Sequence, residues 1–278
     1  MLLAAVAGYA AWTATRPGGP PPLPPPGCQA GSGAQALPLD TDQAQIAATI
    51  AGVAARRRLP RRAVTIAYAA ALQESQLHNL DYGDRDSVGV FQQRPSQGWG
   101  TTAELEDPVY ATTKFFAALV RVPGYARLPV QVAAQDVQHS ADGAAYQQWA
   151  PAAARLAAYF TGAAAHAVTC WYSPAGRADL AGTVHGLTRT FGPAREGAVL
   201  EGVSDFRSAG KDGGSVAVVR ARRGAGWMVA DWLVANAQQY RIGEVWYAGY
   251  RWRAADGTMG WQRARPGTGP AGGGIVAG

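Results

Sequence analysis

Arg62-Ala63-Val64-Thr65-Ile66-Ala67-Tyr68-Ala69-Ala70-Ala71-Leu72-Gln73-Glu74-Ser75-Gln76-Leu77 reads as a helix that starts after Pro60. Val64, Ala67 and Ala71 make an apolar stripe along it, and the same spacing carries Glu74 onto that stripe. The carboxylate is therefore expected to point inward or into the edge of a cleft. Two effects act on it in one direction, because the negative end of the helix macrodipole and apolar neighbours both disfavour the charged form. The Glu74 pKa is expected to be raised. A carboxylic acid still protonated near neutral pH suits proton donation to a poor leaving group such as a glycosidic oxygen. The competing reading is a helix-end glutamate bonded to a loop amide or to Arg85 or Arg94.

The helix runs into Asn79-Leu80-Asp81-Tyr82-Gly83-Asp84-Arg85-Asp86-Ser87-Val88-Gly89-Val90-Phe91-Gln92-Gln93-Arg94-Pro95. Glu74-Ser75 followed by Gly89-Val90-Phe91-Gln92-Gln93-Arg94-Pro95 resembles the Glu-Ser and Gly-Leu-Met-Gln-x-x-Pro signature of the soluble lytic transglycosylase and goose-type lysozyme superfamily, over residues 40 to 162. The resemblance implies an all-α lysozyme-like domain that cleaves the β-1,4 bond of peptidoglycan between N-acetylmuramic acid and N-acetylglucosamine. It makes Glu74 the general acid, lets Gly89 allow close backbone approach, and gives Gln92 an amide for a sugar N-acetyl group or a backbone carbonyl. At the place of the family's Ala-Tyr-Asn-x-Gly motif stands Ala133-Ala134-Gln135-Asp136-Val137-Gln138-His139-Ser140, so that Gln138 is the expected substitute amide. The family's serine role is not carried onto Ser87, which follows Gly83-Asp84-Arg85-Asp86.

Asp81, Asp84 and Asp86 admit three readings: a second acid for a two-carboxylate hydrolase, a hard-cation site, or a structural loop that caps a short helix near Ser87 and pairs with Arg85 or Arg94. The structural reading leads, because the spacing is not that of a calcium loop. Lytic transglycosylases manage with one glutamate because the substrate's N-acetyl and hydroxyl groups replace the second acid, which favours a lyase over a hydrolase.

Around this segment the helical pattern continues. Asp40 with Gln43 resembles a capping box opening a helix with Ile46, Ile50 and Val53 on one side, ended by Pro60. Asp107-Pro108 suits the N-cap and first position of a helix carrying Tyr110, Phe115, Phe116 and Leu119, aromatics expected in the core. Trp99, Tyr125, Tyr146 and Trp149 are candidates for a groove wall, with plain packing as the alternative. Tyr146, Trp149, Leu156 and Phe160 step through a final amphipathic helix ending at Gly162. The candidate substrate-binding set is Tyr82, Gly89, Gln92, Gln93, Trp99, Tyr125, Gln138 and Tyr146.

Leu2 to Thr15 is uncharged and apolar, and Arg16 and a run with seven prolines from Pro17 to Gly27 follow it. That pattern reads as a signal or membrane anchor over 1–16 leading into a stiff spacer over 17–37. Fourteen residues are short for a span; cleaved signal and retained anchor both stay open. Only two cysteines occur, Cys28 and Cys170, bracketing the helical region, and in an oxidising compartment they read as one disulfide. A lipid-modified Cys28 is the weaker alternative. The charge balance, 25 Lys+Arg against 19 Asp+Glu, favours anionic surroundings without choosing among them. Arg56-Arg57-Arg58 and Arg61-Arg62 read as a solvated helix end and start, and no nucleic-acid motif is present.

Beyond a small-residue stretch, Ser215 to Ala221 alternates like a strand, Gly224 to Tyr240 reads as an amphipathic helix, and Ile242 to Trp252 and Met259 to Gln262 read as strands around an Asp256-Gly257 turn. Trp227 to Ala237, Ile242 to Trp252 and Gly260-Trp261 look like a domain of actinobacterial exported proteins that is similar to zinc-dependent D-Ala-D-Ala carboxypeptidases. Those relatives hold zinc through a His-x-x-Gly-Arg-Ala-x-Asp segment and a later His-x-His. The corresponding run here is Gly210-Lys211-Asp212-Gly213-Gly214-Ser215-Val216-Ala217, with no histidine after His185. The resemblance therefore implies a degenerate domain with no metal.

The whole reads as an α+β protein: a helical lysozyme-like domain over 38–162, a linker over 163–182, a small α/β domain with a mixed or antiparallel sheet over 183–265, and a disordered tail over 266–278. The expectation is an exported monomer acting on peptidoglycan glycan strands without a cofactor and without nucleic acid. Its competitor is a non-catalytic wall-binding or scaffold protein built from two degenerate enzyme folds.

Overall fold

The computed structural model describes residues 24–139, 143–173, 176–207, 215–265 and 274–278. The expected signal or anchor over 1–16, residues 17–23 of the expected spacer, and Gly210 to Gly214 of the zinc-like run lie outside these residues, whereas Gly27–Ala30, expected within the spacer, form a strand. The chain is a mixed α+β protein with nine α-helices and two antiparallel sheets among the described residues.

β1 (Gly27–Ala30) and β2 (Leu37–Leu39) precede α1 (Thr41–Arg56) and α2 (Arg61–Ser75). α3 (Thr102–Leu105), α4 (Pro108–Leu119), α5 (Val130–Gln138) and α6 (Ala150–Phe160) follow, then β3 (Val168–Trp171) and α7 (Leu180–Phe191). β3 and the start of α7 fall inside the stretch expected to be a linker. The remainder is β4 (Leu200–Arg207), β5 (Ser215–Ala221), α8 (Gly226–Ala235), α9 (Ala237–Tyr240), β6 (Glu244–Tyr247), β7 (Tyr250–Arg253), β8 (Gln262–Arg263) and β9 (Ile275–Ala277).

Local chemistry sets the helix ends. Asp40 and Gln43 form a complete capping box on α1. Asp107 caps α4 by accepting from Val109 N, with Pro108 in the first turn. α2 departs from the expected stripe: Ala63 through Leu72 are all buried, so the helix is surrounded rather than one-sided. Its run of alanines lets neighbours approach from every direction. The final amphipathic helix begins at Ala150, because Pro151 belongs in a first turn, and Tyr146 and Trp149 sit in a preceding 3-10 segment, Gly143–Trp149.

The smaller sheet has the order β2-β1-β3, with Cys28 directly opposite Cys170 and the two joined by a disulfide, as expected. The larger has the order β4-β5-β9-β6-β7-β8. The strand read from Ser215 to Ala221 is present as β5, but Ile242 to Trp252 is a hairpin rather than one strand. Its turn falls at Ala248-Gly249, both with positive φ (50° and 79°), the primed turn that matches strand twist. Asp256-Gly257 lies in a 3-10 segment instead. The expected Gly224 to Tyr240 helix breaks at Asn236 into α8 and α9, and α8 is buried almost all round rather than amphipathic. Ile275-Val276-Ala277, within the expected tail, is a buried strand between β5 and β6.

A single buried cluster runs from Cys28 to Ala277. α8 packs on α1 and on β3, and α7 packs on α1, so helices from both parts of the chain share that core. No helix among the described residues is long and apolar enough to cross a membrane.

Candidate active site around Glu74

α2 delivers Glu74 in its last turn, and the chain then leaves the helix through two successive left-handed residues, Gln76 and Leu77, with φ of 55° and 62°. Such non-glycine geometry is costly and persists only where surroundings enforce it. Leu77 is fully buried and its N–H bonds Ala71 O at 3.1 Å, which anchors the turn. Buried Ser75 donates through Oγ to Val90 O at 2.7 Å, tying the helix end to the Gly89-Val90-Phe91 turn. Gly89 has φ 78°, and a Cβ there would stand 2.2 Å from Leu105 O. Its close backbone approach is to the α3 end of the protein itself.

Glu74 is half-buried and accepts a hydrogen bond from the Tyr146 hydroxyl at 2.5 Å on Oε1. Burial pushes its pKa up from the ordinary carboxyl value, against the opposing pull of the Tyr146 and Gln138 hydrogen bonds. No cation is paired with it among the described residues. Arg94, one of the two arginines that could have held it, is committed to Asp86, with Nε to Oδ1 at 2.6 Å. Ser96 donates to the same carboxylate from N and Oγ at 2.8 and 3.0 Å. The guanidinium of Arg94, then Ser96, hold the Asp86 carboxyl well below the usual range. Arg85 lies against Asp84, both strongly exposed. The acidic loop is thus braced by Asp86, with turns and a Val88–Gln93 bridge in place of the expected short helix near Ser87.

The amide of Gln92, expected on a sugar N-acetyl group or a backbone carbonyl, and the amide of Gln138 both donate to the protein's own backbone. Gln92, itself at φ 47°, donates through Nε2 to Tyr82 O and Gly89 O, both at 3.2 Å. Gln138 donates to Phe91 O at 2.7 Å, and buried Gln93 donates to Gln138 Oε1 at 3.4 Å. Gln138 therefore bridges the Gly89 turn and the acid. Tyr146 is fully buried and acts on Glu74 directly instead of lining a wall. Trp99, Tyr125 and Trp149 are partly buried against the core, and Trp149 Nε1 donates to Gln73 Oε1 at 2.8 Å. Tyr82 is 69% exposed, which leaves it the freest aromatic beside the acid-bearing loop.

The structure thus brings Glu74, Tyr146, Gln138, Gln93 and the Gly89 turn together, and it places Trp99 and Tyr125 at the core's edge. Ser75 is a strut that the helical period does not reveal, although its position next to Glu74 is a usable signal. What the arrangement offers chemically is one carboxyl inclined to hold a proton, steered by a phenol and an amide. No protein-family model matches the chain, and no curated protein matches it either.

Proposed function

We propose that the protein is an exported enzyme that cleaves the glycan strands of peptidoglycan at the β-1,4 bond between N-acetylmuramic acid and N-acetylglucosamine, with Glu74 as the single general acid and base. The observation that carries this reading is the state of Glu74: half-buried, raised in pKa by that burial, free of any cation among the described residues, and oriented by Tyr146. In its acid form Glu74 donates a proton to the leaving glycosidic oxygen. As the carboxylate it then takes one up from the muramic hydroxyl or from water. The helical lysozyme-like unit followed by an α/β unit, the resemblance to lytic transglycosylases and the export of the chain are parts of the same proposal, and the disulfide supports the extracytoplasmic location.

A scaffold reading gains from one observation: Gln92 and Gln138 spend their amides on backbone carbonyls. Purified sacculi separate the two. Wild type is expected to lower their turbidity and release muropeptides visible by mass spectrometry, while Glu74→Gln loses about 10²- to 10⁴-fold in rate, the usual worth of a general acid. Equal clearance by both proteins, or no new fragments from several wall types, would sink the enzymatic reading.

A further inference from the structure

His78 follows the left-handed pair Gln76-Leu77 just beyond the end of α2, and its half-buried ring bridges two elements. Nε2 lies 2.7 Å from Asp40 Oδ2, on the residue that caps α1, and Nδ1 lies 3.2 Å from Ser75 O, in the last turn of α2. Ser75 is the residue after Glu74, and its carbonyl also accepts from the His78 backbone N–H at 3.1 Å. A second bridge runs alongside, in which Gln43 Nε2, again from the first turn of α1, donates to Gln76 O at 2.9 Å. The turn that leads away from Glu74 is therefore held against α1 by one neutral link and one titratable link.

The partners of the ring decide its state. A backbone carbonyl and an ionised carboxylate can only accept, whereas neutral imidazole carries one N–H and one lone pair. In this geometry the neutral ring sets its lone pair against one of the two oxygens; only the imidazolium, with an N–H on each nitrogen, satisfies both. The charges around it favour the same form. Partial burial pulls the His78 pKa down, but the Asp40 hydrogen bond, the Ser75 carbonyl and the charges of Asp40 and Asp42 outweigh it, and the net shift is upward from the ordinary 6.5. The negative end of α2 adds to them, and no basic residue in its last turn answers it. Of the other acids on the packed elements, Glu74 is turned to Tyr146 and Asp107 is paired with Arg189, while Glu106 meets this segment through its backbone carbonyl, which accepts from Asn79.

We propose that His78 is a positioning residue for Glu74: as the doubly protonated imidazolium it clamps the Ser75 carbonyl to the cap of α1, and on losing a proton it loosens that turn. Ser75 hangs between two anchors, its carbonyl on His78 and its hydroxyl on Val90 O in the Gly89 turn. When the ring is neutral one link of the clamp fails, while the Gln43–Gln76 link remains, so the turn relaxes without unfolding. The left-handed geometry of Gln76 and Leu77 persists only while contacts enforce it, which makes this turn the place where a lost contact is felt. The clamp is complete below the His78 pKa and weakened as pH rises through it, the same direction in which the acid form of Glu74 is lost. The catalytic half of the proposal rests on the Glu74 reading; the clamp itself does not.

A nitrogen-15 NMR titration of the full wild-type chain reads the ring directly. Both His78 nitrogens are expected to be protonated at neutral pH, with a midpoint above that of an ordinary histidine, and the Gln76 and Leu77 amides are expected to shift with the same midpoint. Asp40→Asn, which still caps α1, is expected to return the midpoint towards the ordinary value. Sacculus assays from about pH 5 to about pH 9, the range that brackets histidine titration, supply a readout that packing alone does not move. The ratio of kcat/KM for wild type over His78→Gln is expected to be several-fold at the acid end and to approach one at the alkaline end; the titration of Glu74, common to both proteins, drops out of it. A neutral ring at neutral pH, amides that ignore its titration, or a ratio that is flat with pH overturns the assignment. Should wild type release no fragments at any pH, the Glu74 reading falls and the catalytic half of this proposal falls with it, while the NMR titration still decides the clamp.

Discussion

At Glu74, burial and hydrogen bonding pull in opposite directions, and burial wins. Because the folded pKa lies above the ordinary value, the proton-donating form survives to higher pH, and activity that needs this form falls as pH rises through that pKa. Tyr146→Phe removes a hydrogen bond that favours the anion, so the alkaline limb of the kcat/KM profile is expected to move to higher pH. A limb that stays in place shows that the phenol only packs. Asp231 poses the same question where no chemistry is proposed. It is fully buried in α8, neither oxygen has a well-formed hydrogen bond among the described residues, and a weak approach of the Val168 backbone only partly offsets the desolvation that drives its pKa far up. The unfolded chain ionises it near 3.8, the ordinary value, while the folded chain keeps the proton. Stability is therefore full below that pH and declines as pH rises towards the folded pKa. Asp231→Asn is expected to melt like wild type near pH 3 and above it at neutral pH, by a gain on the order of 1 kcal/mol or more. A thermal-denaturation series across pH reads this directly, and a gain that is flat with pH removes the ionisation argument.

Among the elements, the Gly89 turn is the least tolerant part of the candidate site. Ser75 holds it from α2 and Gln138 holds it from α5, while the backbone of Leu105 closes against Gly89. Gly89→Ala is expected to cost about 1–3 kcal/mol, combining a positive φ with the Leu105 clash. Its proposed activity should fall further than its stability, because the turn also carries Gln92; chemical denaturation beside sacculus turbidity compares the two. The helical period was enough to place Glu74 near apolar neighbours, and the caps at Asp40 and Asp107 were legible because capping is local. Tyr146 as the partner of Glu74 was not legible, since 72 residues separate them and only tertiary packing joins them. The Ala248-Gly249 hairpin is not legible because an alanine gives no signal for the positive φ it adopts there. β9 was hidden in glycine-rich sequence, where a three-residue strand gains its order only from strands on both sides.

For the molecule as a whole, β3 is where the parts of the chain meet. On one edge it pairs with β1, with Cys28 opposite Cys170, and its carbonyls receive tryptophans from the far end of the sequence. Trp252 Nε1 donates to Cys170 O at 3.0 Å and Trp261 Nε1 to Val168 O at 2.8 Å. The disulfide closes a loop spanning 142 residues of sequence separation, which contains the whole of α1 to α6. Cross-linking a loop of this size restricts the unfolded chain by about 5 kcal/mol on the chain-entropy model, and measured losses on removing such bonds run at about 2–5 kcal/mol. Because α8 packs on α1 in one continuous core, that loss should reach the entire fold. Cys28→Ala/Cys170→Ala is therefore expected to lower the midpoint of a single calorimetric transition, with β1, β3 and the tryptophan contacts released together. Two separate transitions, with the later one insensitive to the substitution, would show instead that residues 183–265 hold themselves together and that β3 couples the parts only weakly.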